Sequence, residues 1–99
     1  MSESIQSVSP KKVGETVRIT YQLRRTVSVI QGIPSLQVSV YKGKADADTA
    51  TMLSGIPTVE ETKVKVLIRG GMAGNTYLLR LVYSDGEQLL FEDCLLDVL

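Results

Sequence analysis

The chain has 99 residues, enough for one folded domain and too few for two. Lysine plus arginine and aspartate plus glutamate both number 11, and this zero net charge excludes the basic excess of a nucleic-acid-binding protein. With one cysteine and no histidine, the chain cannot form an intrachain disulfide and lacks the commonest general base and metal ligand.

The N-terminal residues 1–12 are polar, with two apolar points at Ile5 and Val8. They are predicted to form an extended arm or an edge strand that ends near the turn signals Pro10 and Gly14. They lack the basic start and apolar centre of a signal peptide. No apolar run in the chain approaches the ~20 residues that a membrane-spanning helix needs, so we expect no membrane partner.

Three segments alternate apolar and polar residues, the pattern of strands with one buried face. They are residues 15–23, 35–42 and 62–68. No segment keeps the 3.6-residue period of an amphipathic helix over ten or more positions. The sequence therefore predicts an all-β domain.

The connections between these strands are less regular. Residues 27–30 are predicted as a short strand or extended connection that Gly32 and Pro34 interrupt. Residues 42–50 are the most polar stretch and predict a surface loop with one helical turn. Residues 52–59 are predicted as two short extended pieces around a turn.

The C-terminal part begins with a glycine-rich corner at residues 70–74. A strongly apolar strand follows at residues 76–84, then an Asp85-Gly86 turn and a last strand at residues 88–98. In total the chain shows about seven short strands separated by turn signals, which is typical of a β-sandwich. We therefore predict a single antiparallel β-sandwich domain, residues 1–99.

An Asp-Gly pair favours a two-residue hairpin turn, which places Tyr83 opposite Gln88 and Arg80 opposite Phe91. One face of this hairpin is then the core face, with Tyr77, Leu79, Leu81, Leu90, Cys94, Leu96 and Val98. The other face carries a second set, Leu78, Arg80, Val82, Leu89 and Phe91.

An outer face this apolar predicts a protein interface. The alternative is a β-bulge that turns Leu89 and Phe91 inward, because the simple register points Glu92 at the core. The sequence leaves these two interpretations open.

The glycine corner contains Gly70, Gly71 and Gly74. It joins a strand to a strand and lacks the Lys-Ser/Thr of a phosphate-binding loop, so the glycines are predicted to serve tight backbone geometry. Tyr77 stands where a tyrosine corner would place a hydroxyl that bonds back to the turn. The alternative is a tyrosine that only fills the core.

Few other residues suggest chemistry. Asp46 and Asp48 have a spacing compatible with Ca²⁺, but the remaining ligands of such a loop are missing, so a solvated loop is predicted. Cys94 lies among leucines and is interpreted as a buried apolar thiol. Arg24 and Arg25 are interpreted as strand-end charges, with a subunit interface as the alternative. We predict no catalytic, cofactor-binding or metal-binding residues, and no enzyme.

Three stretches carry a family resemblance: residues 52–55 (Met-Leu-Ser-Gly), residues 64–77 (Val-Lys-Val-Leu-Ile-Arg-Gly-Gly-Met-Ala-Gly-Asn-Thr-Tyr) and residues 84–86 (Ser-Asp-Gly). This pattern resembles small immunoglobulin-like virion proteins of tailed bacteriophages, which are fibre–tail adaptors or head or tail decorations. The resemblance covers residues 52–98, and the corner with Ala73 and Tyr77 is its most distinctive part.

The resemblance implies an immunoglobulin-like sandwich and a structural role without catalytic residues. The implied partners are other virion proteins of the portal or neck, tail, fibre or capsid, together with copies of the chain itself. The implied place is the virion, assembled in the cytoplasm of a bacterial host, and a chain without disulfides suits such a reducing compartment. Relatives carry a tryptophan in the N-terminal half, and here Tyr21 or Tyr41 would take its packing role.

A second interpretation, from a different class, is a soluble binding module that recognises carbohydrate or a peptide. Such a module needs exposed aromatic side chains on one face or in loops. The chain has only four tyrosines and one phenylalanine, and most of them fall on predicted strands.

Overall fold

The computed structural model describes residues 6–23 and 30–99. Its strands are β1 (Gln6–Ser7), β2 (Val17–Gln22), β3 (Gln31–Lys42), β4 (Thr58–Glu60), β5 (Lys63–Ile68), β6 (Thr76–Ser84) and β7 (Leu89–Asp97), and a 3₁₀ turn lies at Thr49–Thr51. Residues 1–5 of the predicted arm and the predicted features at Arg24, Arg25, Val27 and Val29 lie outside the described residues.

The strands form two sheets. One has the order β1-β7-β6-β3 and the other the order β2-β5-β4. Neighbouring strands are antiparallel except for β1 and β7, which run parallel. Buried side chains from both sheets form one apolar core, as in a β-sandwich. The prediction of an all-β, sandwich-like domain is confirmed.

Strand alternation builds this core. Every second residue of β6 is buried, and the same holds along β5, so each strand presents one apolar face to the opposite sheet. The buried side chains of these two strands are Val64, Val66, Ile68, Tyr77, Leu79, Leu81 and Tyr83.

The main departure from the predicted strands is at β3. The sequence predicts that Gly32 and Pro34 interrupt the strand, but β3 continues through both positions. A register shift between Gln31 and Ser35 absorbs them as an irregularity against β6. Because β3 lies at the edge of its sheet, Pro34 can take part although it has no N–H to donate.

Of the two tyrosines in the N-terminal half, Tyr21 and not Tyr41 lies in the core. Tyr41 is 56% exposed, whereas Tyr21 is buried and its hydroxyl donates to the carbonyl oxygen of Leu79 at 2.9 Å. The hydroxyl also lies 3.3 Å from Sγ of Cys94. Burial is the main cause that raises the pKa of both groups, so Cys94 is a protonated, enclosed thiol, as predicted.

The described part of the N-terminal segment is an edge strand. The N–H of Val8 donates to the carbonyl of Leu95 at 3.1 Å, and the N–H of Lys11 donates to that of Asp97 at 3.0 Å. Leu99 N–H returns a bond to the Lys11 carbonyl at 2.8 Å. The segment therefore pairs with one side of β7 and forms the edge of the sheet there.

Lys11 has no exposed surface, although the sequence places it in a polar turn. Its Nζ donates to the carbonyl oxygens of Lys12 at 2.7 Å, Val13 at 3.3 Å and Gly70 at 2.6 Å. Desolvation lowers the pKa of Lys11, while the charge of Glu15 opposes this shift. Three acceptors match the three donors of an ammonium, so Lys11 joins the N-terminal segment to the glycine corner.

This contact predicts that Lys11→Met destabilises the fold. Methionine keeps a long side chain but removes the ammonium and the three hydrogen bonds that it donates to backbone carbonyls. We expect the free energy of unfolding to fall by roughly 1–3 kcal/mol in urea unfolding followed by circular dichroism. Lys12→Met, at an exposed position, is the control and should change little. Equal losses in the two variants would contradict the role of Lys11.

Candidate functional site

The candidate site is the outer face of the four-stranded sheet. Its centre, here called the outer patch, consists of Leu78, Arg80, Val82, Leu89 and Phe91. The β6 members of the patch alternate with core residues, so they lie on the outer face, where they are half-buried. Leu89 is 66% exposed and Phe91 is 44% exposed. All five residues predicted as an interface therefore share this face.

The hairpin register that led to this prediction was wrong by two residues. The structure pairs Tyr83 with Leu90, Val82 with Phe91 and Arg80 with Asp93. Because the side-chain period of a strand is two, a shift of two residues leaves every side chain on its predicted face. The side chains therefore lie on the predicted faces, although the predicted pairing of residues between β6 and β7 was wrong.

The turn explains this error. Asp85 and Gly86 do lie in it, with Gly86 at a φ of 99°, but the loop also includes Glu87 and Gln88. Oδ1 of Asp85 accepts the N–H groups of Glu87 at 2.9 Å and Gln88 at 2.7 Å. These bonds, the one from Gln88 first, lower the pKa of Asp85. The carboxylate thus closes a longer loop than the Asp-Gly pair alone predicts.

The alternative bulge is also wrong. The register of β6 and β7 is continuous from Thr76 opposite Asp97 to Ser84 opposite Leu89. Glu92 does stand opposite Leu81, on the side that faces the core. It is only half-buried, and its Oε2 accepts the hydroxyl of Tyr83 at 2.5 Å. A polar group with a partner at this position removes the need for a bulge.

Arg80 is fixed at the middle of the outer patch. Its Nε donates to Oδ1 of Asp93 at 2.9 Å and a terminal nitrogen donates to Oδ2 at 3.0 Å, a two-point ion pair. The guanidinium carbon also lies 5.0 Å from the centre of the Phe91 ring, within the range of a cation–π contact. The hydrogen bonds that Arg80 donates to Asp93 raise the pKa of Arg80. The patch therefore presents an ordered, charge-balanced centre.

Strand β3 extends this face with small polar side chains. Ser35 pairs with Val82, Gln37 with Arg80 and Ser39 with Leu78. None of these three side chains of β3 is charged. A surface of apolar and uncharged polar side chains loses less solvation than a charged one when another protein covers it.

The glycine corner sits at the start of β6, at one end of the sandwich. Gly70, Gly71 and Gly74 have φ angles of 69°, 90° and 89°, which favour glycine. At Gly71, an added Cβ would also lie 2.9 Å from Cγ2 of Val98 and 3.2 Å from Cε of Met52. The glycines serve backbone geometry and close packing.

Tyr77 forms the predicted bond back to this turn. Its hydroxyl oxygen accepts the N–H of Met72 at 2.7 Å and Nδ2 of Asn75 at 3.3 Å. The hydroxyl itself donates a hydrogen bond to Oδ2 of Asp46 at 2.7 Å. Burial and then the bond to Asp46 raise the pKa of Tyr77, which keeps it protonated as a donor.

Asn75 was not predicted from the sequence. The amide is almost fully buried, and it accepts the N–H and donates to the carbonyl of Lys44, both at 2.8 Å. Gly43 permits this approach, since a Cβ there would lie 2.1 Å from the Asn75 amide oxygen. The partner lies 31 residues away, so no local sequence pattern marks Asn75.

Asp46 was predicted to be solvated, and the structure instead makes it a partner of Tyr77. The hydrogen bond from Tyr77, followed by that from the N–H of Asp48, lowers its pKa. Within the described residues no group of three or more histidine, cysteine, aspartate or glutamate side chains is placed to hold a metal ion. The same part of the chain contains no helix long and apolar enough to cross a membrane.

The outer face of the three-stranded sheet has a different character. It holds an open depression of about 330 Å³. Arg18 and Lys65 line it together with Glu60, which forms an ion pair with Lys65. Ile56, Thr58 and Leu67 complete the lining, so charged and uncharged side chains are mixed here and the two outer faces of the sandwich offer different chemistry to a partner.

Comparison of the chain with protein-family models, with curated proteins and with solved structures finds no match. The functional conclusions therefore depend on the sequence pattern, the strand arrangement and the outer patch.

The hydrogen bonds of the Tyr77 hydroxyl predict that its removal lowers the free energy of unfolding. Tyr77→Phe leaves the Met72 N–H and the Asp46 carboxylate without their partner, at a cost of roughly 1–3 kcal/mol. For a domain of this size each 1 kcal/mol lowers the melting temperature by roughly 4–8 °C, which calorimetry resolves. The control is Tyr41→Phe at an exposed position. A melting temperature of Tyr77→Phe equal to that of the control would refute the role of the hydroxyl.

The hydrogen bond between Tyr77 and Asp46 also predicts how the free energy of unfolding depends on pH. The pKa of Asp46 is lowered in the folded state from its ordinary value of 3.8, so the unfolded chain binds the proton more readily. The stabilisation from this hydrogen bond is therefore present when the pH is above the ordinary pKa, and it is lost as the pH falls through the pKa of Asp46 in the folded state. Between about pH 6 and about pH 2, Asp46→Asn should therefore lose less free energy of unfolding than the wild type.

Urea unfolding at each pH measures this difference. Asp48→Asn removes a carboxylate from the same loop but leaves the Tyr77 bond in place, so it is expected to keep the larger acid loss. An identical pH dependence in the wild type and in Asp46→Asn would show that the bond contributes nothing.

Proposed function

We propose that this protein is a structural component of a tailed-bacteriophage virion, with an immunoglobulin-like fold of seven strands. It acts through protein–protein contacts, as a fibre–tail adaptor or as a head or tail decoration. The virion assignment rests on the resemblance of residues 52–98 to that family. The outer patch is the observation that supports action through protein–protein contacts.

Strand order supports the immunoglobulin-like fold. Such domains place their second, fifth and fourth strands in one sheet and their third, sixth and seventh in the other. The orders β2-β5-β4 and β3-β6-β7 follow this scheme. The one difference is β1, which pairs with β7 rather than with β2.

The corner supports the same fold. An immunoglobulin-type tyrosine corner places a tyrosine near the start of the sixth strand, with its hydroxyl bonded to the backbone a few residues upstream. Tyr77 is the second residue of β6 and bonds to the N–H of Met72. The corner thus accounts for both the glycines and the tyrosine of the phage-like motif.

Contact with another protein accounts for the outer patch. Burial of a Leu or Phe side chain contributes roughly 1.5–3 kcal/mol relative to full exposure. Leu89 and Phe91 keep much of that potential unused in the isolated chain. Arg80 is already ordered by Asp93, so little side-chain entropy is lost when a partner covers the patch.

A complementation experiment in a phage that encodes the protein tests this proposal. Wild-type protein should be detected in purified particles by mass spectrometry. Phe91→Ser should reduce its amount in particles at least tenfold, because the contact loses a central apolar side chain. Leu67→Ser is the matched control, since Leu67 is 43% exposed on the other sheet and should be incorporated normally.

Two results would contradict the proposal. Absence of the wild-type protein from purified particles would exclude a virion component. Equal incorporation of Phe91→Ser and Leu67→Ser would retain the virion but reject the outer patch as the contact surface. The melting temperature of each variant is measured alongside, so that a folding defect is recognised.

A further inference from the structure

The edges of the two sheets are unequal. Exposed edges invite pairing with other chains, and proteins usually protect them with short strands or charged side chains. Strand β1 has two residues and β4 has three, and β2 carries Arg18. Strand β3 has 12 residues and no charged side chain before Lys42.

The central part of β3, residues 35–40, is the regular part of this edge. It pairs with β6 without interruption between the two register shifts. Among the described residues β3 pairs with β6 alone, so one side of its backbone faces away from the sheet. In an antiparallel strand, half of the peptide groups point to that side, where none of the described strands pairs with them.

The side chains of this segment also remain incompletely covered. Leu36, Val38 and Val40 pack against the core but are only half-buried. Ser35 and Ser39 point to the outer face and are exposed. A strand added beside β3 would cover the three apolar side chains and pair the outward-pointing backbone groups in one step.

We propose that β3 pairs with β3 of a second copy of this chain, antiparallel and about a two-fold axis. The occupant follows from the segment itself. Antiparallel self-pairing sets serines and glutamine opposite one another on one face and Leu36, Val38 and Val40 on the other. No like charges oppose, and the same surface serves both copies, as a two-fold interface requires.

The pairing joins the two four-stranded sheets into one continuous sheet. Both outer patches then lie on the same side of it, because a two-fold axis perpendicular to a sheet keeps each face on its own side. The dimer would offer a partner a doubled patch. This proposal uses no feature of the virion assignment and stands or falls separately from it.

Sedimentation velocity across micromolar to near-millimolar concentration tests the pairing. The wild type should shift from monomer to dimer. The double variant Ser35→Lys with Ser39→Lys places like charges along the shared edge and should remain a monomer over the same range. The control, Thr16→Lys with Thr20→Lys, adds the same charge at exposed positions near and on β2 and should dimerise as the wild type does.

A charge swap then tests whether the two edges meet. Ser35→Glu with Ser39→Glu should also be monomeric alone, and an equal mixture with the lysine variant should form a heterodimer. Amide hydrogen exchange should show protection of residues 35–40 that increases with wild-type concentration.

Three results would overturn the proposal. One is a wild type that stays monomeric at every concentration. Another is a lysine variant that still dimerises. The third is a dimer whose exchange at residues 35–40 does not depend on concentration, which would place the contact elsewhere, for example on the outer patch.

Discussion

The hydrogen bonds of the Tyr77 hydroxyl are the constraint on which the rest of the structure depends. One oxygen accepts the Met72 N–H of the glycine corner and donates to Asp46 in the loop after β3. Asn75 adds a second link to that loop through Lys44. Lys11 holds the other side of the corner through Gly70. These contacts fix where β6 begins.

The starting point of β6 determines which side chains become core and which become surface. With Tyr77 inward, Leu79 and Leu81 follow it into the core and the intervening residues point outward. The outer patch is thus a consequence of the corner. A displacement of one residue would bury Arg80 and expose Tyr77, at the cost of an unpaired charge in the core.

Most of the fold could be predicted from the sequence because strand alternation is a local signal. It located β6 at residues 76–84, and it assigned Phe91 to the outer face even though the turn length was wrong. What could not be predicted depends on distant partners. Lys11 is buried against Gly70, and Asp46 binds Tyr77 across 31 residues, and neither contact leaves a pattern in the neighbouring sequence.

The central claim is that the outer patch is a protein contact surface in a virion. A cryo-EM reconstruction of particles that contain this protein tests it most directly. We predict that Leu89 and Phe91 are covered by a neighbouring protein, with the Arg80–Asp93 pair at the centre of the contact. A reconstruction in which Phe91 faces solvent, while the chain is held through other surfaces, would contradict the claim.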